Sequence, residues 1–100
     1  MTVYTLATND FDADPAIIAA YRAAADPIIE AYITAGDCTQ PPTHTPESPT
    51  WPPTSGSYVS RRDWVSEETA QQFCGQIATL LANNPSWTTY VTSPPTVHIE

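Results

Sequence analysis

The chain has 100 residues, enough for one domain with a single modest core. It is 41% hydrophobic, contains no lysine, and sets three arginines against eleven carboxylates for a formal net charge of −8. Such a surface cannot replace the counterions of nucleic acid or of an anionic membrane, which leaves solubility or attraction to a basic partner as uses of the charge.

In chain order, residues 3–7 (VYTLA) predict a strand, ended by Asn9 and Asp10. No basic, apolar leader precedes it and no apolar run approaches bilayer length, so a cytoplasmic protein, or one packaged from a cytoplasm, is expected. Asp10, Asp12 and Asp14 have the spacing that opens a calcium loop, but Pro15 stands at the turn glycine and Tyr21 at the bidentate glutamate. The same residues read better as a helix start, with Asp14 as N-cap, Pro15 in the first turn and Gly36 as the stop. Ile17, Ile18, Tyr21, Ala24, Ala25, Ile28, Ile29 and Tyr32 then follow the spacing of one helix face.

Pro27 interrupts this face. The pairs Ile17-Ile18 and Ile28-Ile29 are eleven residues apart, as are Tyr21 and Tyr32. Eleven residues make close to three turns, with a drift of only about 20°. That phasing favours one helix bent at Pro27 over two abutting helices, although an interior proline costs about 3 kcal/mol.

Residues 39–57 form a Pro-rich arm with six prolines, which argues against a central strand. Pro46, Pro49 and Pro52 recur every third residue, the period of a polyproline II helix. Glu47 stands where an SH3-type ligand normally carries a cation. Trp51 is costly to leave in water, so the arm is expected to pack along its own domain or a neighbouring subunit.

Residues 58–65 (YVSRRDWV) predict a second strand, with Tyr58, Ser60, Arg62 and Trp64 on one face and Val59, Arg61, Asp63 and Val65 on the other. Ser66 caps a helix whose buried stripe is Ala70, Phe73, Cys74, Ile77, Leu80 and Leu81, with Glu67 and Glu68 at its positive end. Residues 87–91 (WTTYV) predict a third strand. Pro94-Pro95 breaks it, leaving residues 93–100 as an extended tail.

The order implies a single α+β domain over residues 1–100, with a small, mostly antiparallel sheet and two helices on one face. If part of the arm pairs at a sheet edge, the arrangement becomes ferredoxin-like, βαββαβ. Such a fold leaves one sheet face uncovered, and that face is expected to display aromatics to a partner or a second copy of the chain.

Chemical motifs are sparse. Cys38, His44, Cys74 and His98 lack the paired spacing of a zinc site. Cys38 and Cys74 read as free thiols, Cys74 as a small buried hydrophobe, with a Cys38–Cys74 disulfide as the alternative. Three glycines and no lysine exclude a phosphate-cradling loop, and no Gly-x-Ser-x-Gly occurs. No catalytic, metal or cofactor residue is assigned. The candidates for interaction are Trp51, Tyr58, Arg61, Arg62 and Trp64, with each arginine expected to pair with an acid in the fold or across an interface.

The stretch YVSRRDWVSEETAQQFCGQIATL, with Arg62, Trp64, Ala70 and Phe73 at its key positions, resembles short uncharacterised tailed-bacteriophage proteins. The resemblance implies a phage origin and carries over no activity and no site residue. The leading expectation is a non-enzymatic, self-associating protein–protein interaction module, such as a virion component or an accessory protein. One alternative is an acidic inhibitor of a basic, nucleic-acid-binding surface. Another is a small enzyme that uses the sheet face as a pocket, with Tyr58, Arg62 and Trp64.

Overall fold

The structure, a computed structural model, describes residues 2–39, 43–45 and 56–100. Its elements are β1 (Val3–Asp10), α1 (Pro15–Ala35), β2 (Thr43–Thr45), β3 (Ser57–Trp64), α2 (Glu67–Asn83), a 3-10 turn (Pro85–Thr89) and β4 (Val91–Ile99). The four strands form one sheet in the order β2-β3-β1-β4, and each neighbouring pair is antiparallel. Both helices press on the same face. Ala25 and Ile29 of α1 share one buried cluster with Ala70, Phe73, Ile77 and Leu81 of α2 and with Val3, Trp64 and Val91 of the sheet. The fold is thus the small α+β class expected from the order of elements.

α1 runs unbroken through Pro27. Asp14 Oδ1 accepts the Ala16 N–H at 2.9 Å, and Gly36 ends the helix at φ 81°, a conformation that costs glycine nothing. The N–H groups of Gly36 and Asp37 close the end on the carbonyls of Ile33 and Tyr32, at 3.0 and 2.9 Å. Pro27 is tolerated because Ala23 and Pro27 are both exposed. The carbonyl that the proline cannot bond lies on the solvent side, where water replaces the missing donor. The buried side keeps its phasing: Ile17, Ile18, Tyr21, Ile28 and Tyr32 pack around Ala25 and Ile29. α2 follows its pattern as closely, with Ser66 Oγ accepting the Thr69 N–H at 3.2 Å and Ala70 and Ile77 fully buried.

The C-terminal reading changes. Residues 87–91 are not a strand, because Trp87, Thr88 and Thr89 belong to the 3-10 turn. The Thr88 and Thr89 hydroxyls donate to the carbonyls of Pro85 and Ser86 at 2.7 and 2.9 Å. Such local bonds compete with a sheet ladder and here outweigh the β propensity of WTTYV. Residues 93–99 are extended, as expected, but as part of a paired strand and not a tail. β4 pairs along β1 from Asn9↔Val91 to Val3↔Ile99. Pro94 and Pro95 fit within it because β4 is an edge strand and its register against β1 shifts between Leu6 and Thr8.

β2 is three residues long and pairs with β3 from Thr43↔Arg61 to Thr45↔Val59. The rest of the arm, including Trp51 and the proline repeat of residues 46–52, lies outside the described residues. No helix among the described residues is long and apolar enough to cross a membrane.

Candidate functional site: a polar cleft under the first helix

The strand alternation in β3 turns Tyr58, Ser60, Arg62 and Trp64 toward the helices. β1 meets them in direct register: Val3↔Trp64, Thr5↔Arg62, Ala7↔Ser60 and Asn9↔Tyr58. The helix-covered face is therefore apolar at one end and polar or small through its middle. This corrects one expectation. Tyr58 and Trp64 are not displayed on an open face but are 8% and 5% exposed, because that face is the one the helices cover. The opposite face, which no described helix covers, instead carries Tyr4 stacked on His98, with ring centroids 5.3 Å apart.

Two aromatic clusters hold α1 above the sheet. Toward its N-terminus, Phe11 stacks on Tyr58 at 4.6 Å, and Tyr21 meets Tyr90 and Trp87 edge-on at 5.6 and 6.0 Å. Toward its C-terminus, Tyr32, Trp64 and Phe73 pack with centroids 5.1 to 6.1 Å apart. Between the clusters the residues are short, notably Ala7, Ala25 and Ser60, and a cleft of about 210 Å³ remains. Ile29, Phe73 and Ile77 give it apolar walls. Thr5, Asn9, Ser60 and Arg62 give it a polar floor, with Arg22 and Asp26 on the exposed side of α1.

The polar atoms are organised. Asn9 Nδ2 donates to the Tyr58 hydroxyl at 2.8 Å, which lies 3.2 Å from the hydroxyl of Tyr90. Trp64 Nε1 donates to Thr5 Oγ1 at 3.0 Å, so the buried threonine is fixed in place. The two adjacent arginines differ in kind. Arg61, on the uncovered face, has its Nε 2.9 Å from Asp63 Oδ1 and its guanidinium 4.0 Å over the Tyr4 ring. Among the described residues of the single chain, Arg62 has no carboxylate at ion-pairing distance, whereas Arg61 finds its acid within the fold. Its charge acts on Cys38, whose thiol is pushed up by burial and pulled partly back by Arg62. Cys38 and Cys74 are free thiols.

Two of the cleft tyrosines, Tyr90 and Tyr21, hold their protons beyond the ordinary range. Tyr90 is pushed far above the ordinary tyrosine range, first by burial and then by its hydrogen bond with Tyr58. Tyr21 is pushed up to about 12, chiefly by burial, with Tyr58 and Asp26 adding to the shift and Arg62 opposing it. The fold prefers the neutral Tyr21 hydroxyl. Its stabilising contribution is therefore whole below the usual value near 10 and is lost as pH rises from about 10 to about 12. In an ultraviolet phenolate titration one tyrosine should ionise near pH 12, and Tyr21→Phe should remove that step. Ionisation of every tyrosine by pH 10.5 would contradict the burial of Tyr21.

The structure brings Tyr58, Arg62 and Trp64 to this region, keeps Arg61 on the opposite face, and leaves Trp51 outside the described residues. The sequence reading missed Thr5, Asn9, Tyr21 and Tyr90. A signal did exist, since Thr5 and Asn9 share a strand face with Val3, and Ser60 and Arg62 lie between two aromatics. Recognising it as one continuous polar strip requires the β1–β3 register. Comparison with protein-family models, curated proteins and solved structures finds no match to this chain.

Proposed function

We propose that the chain is a non-enzymatic binding domain and that it binds a small organic molecule in the cleft under α1. The observation that supports this reading is a hydrogen-bonded polar strip placed where a domain of this size would ordinarily close a dry core. At neutral pH the Tyr21 and Tyr90 hydroxyls are protonated and can offer hydrogen bonds to a ligand. A fragment screen by ¹H–¹⁵N NMR tests the reading. Ligands should shift the amides of Thr5, Ala25, Ser60 and Arg62 together. A screen in which no fragment shifts this set at millimolar concentration removes it.

A second reading, a self-associating interaction module, is supported by the uncovered sheet face. Tyr4, Leu6 and Val59 are half-buried there, and none of them belongs to the core. Val65, 63% exposed, follows at the end of β3. On this reading the resemblance of residues 58–80 to tailed-phage proteins would make the chain a virion or accessory component. A strict monomer in native mass spectrometry at tens of micromolar would exclude self-association.

A further inference from the structure

We infer that the ligand of the cleft is a small organic monocarboxylate carrying one planar ring, with its carboxylate on Arg62. This rests on the reading of the cleft as a binding site and specifies what fills it.

The cation comes first. A guanidinium that lines a cleft and, among the described residues, has no carboxylate at ion-pairing distance is a planar fork suited to a carboxylate's two oxygens. The chain has eleven acids, and Arg61, one position away, has captured one of them. Arg62 is turned by strand alternation to the other face, where its partner in β1 is Thr5 and not an acid.

A second observation concerns Thr5, which is 2% exposed. The bond it accepts from Trp64 Nε1 leaves its own O–H to donate beside Arg62. A buried donor at this point suits an acceptor-only group such as a carboxylate.

Charge narrows the class. Asp26 also lines the cleft, and the chain as a whole carries −8. Arg22 beside it offsets one negative charge. A monoanion is therefore tolerated where a phosphate dianion would be repelled.

Size and shape narrow it further. An apolar cavity of about 150 Å³ accepts benzene. The 210 Å³ of this cleft adds room for a carboxylate but not for a nucleotide. Ile29, Phe73 and Ile77 offer the ring an apolar wall, and Ala7 and Ala25 leave the gap between helix and strand into which it slides.

The test uses the full chain with three probes: benzoate, benzyl alcohol and inorganic phosphate, each titrated by ¹H–¹⁵N NMR. Benzoate should bind in the cleft at least tenfold more tightly than benzyl alcohol, and phosphate should leave the cleft amides unmoved. Arg62→Gln should lower benzoate affinity at least tenfold while leaving benzyl alcohol unchanged, and Arg61→Gln should change neither. Arg62→Lys, which keeps the charge but loses the fork, should fall between. If Arg62→Gln fails to fold, the comparison of benzoate with benzyl alcohol on the unaltered chain decides alone. Equal binding of the two ring probes overturns the carboxylate assignment and leaves the binding domain standing. Tighter binding of phosphate overturns the ring assignment. Failure of all three probes, while the fragment screen finds other occupants of the cleft, overturns the ligand class only. Failure of both removes the binding domain with it.

Discussion

Trp64→Ala is expected to cost about 3–5 kcal/mol of folding stability. The indole is 5% exposed and packs on Tyr32 and Phe73, so it joins β3 to both helices. Its Nε1–H also supplies the one hydrogen bond that fixes Thr5 Oγ1, at 3.0 Å. Truncation removes the ring contacts and leaves a void that the surrounding aromatics fill only in part. For a chain of this length the melting temperature should fall by more than about 10 °C. Trp64→Phe separates the terms. It keeps much of the packing and loses the hydrogen bond, for about 1–2 kcal/mol. Urea titrations of both variants measure this, and a loss below 1 kcal/mol for Trp64→Ala would mean that the indole does not join the layers.

Pro27→Ala is expected to move stability the other way, by about 2–2.5 kcal/mol. An interior proline costs a helix about 3 kcal/mol relative to alanine. Part of that is offset because proline also restricts the unfolded chain, by about 0.4–1 kcal/mol. Nothing packed is lost, since Pro27 is exposed on an otherwise unbroken α1. The new N–H gains the Ala23 carbonyl as acceptor. The urea midpoint should rise with an unchanged slope. A midpoint that falls would show that Pro27 is needed to seat Ile28 and Ile29 on the sheet.

The two helices were legible because their determinants are local. Asp14, Gly36 and Ser66 cap through neighbours two to four residues away. The eleven-residue phasing of α1 is visible without knowing what it packs against. β4 was not legible, because its evidence is distant. Pro94 and Pro95 read as a break until β1 supplies an edge position and a register shift to receive them. The 3-10 turn was hidden for a related reason: a five-residue segment of β formers can be claimed by its own threonine hydroxyls. Residues of the cleft were legible one at a time and not as a site. Arg62 and Tyr58 stand out in the sequence, but the direction they face depends on which side of the sheet the helices choose.

The margins of the sheet have a further consequence. Among the described residues one edge is β2, three residues long, and the other is β4, where two residues have no N–H to offer. A sheet recruits another chain by lending it a row of unpaired backbone groups. Here one row is short and the other is interrupted, so fibril-like growth by strand addition finds little template on either side. At high concentration the chain should resist cross-β aggregation.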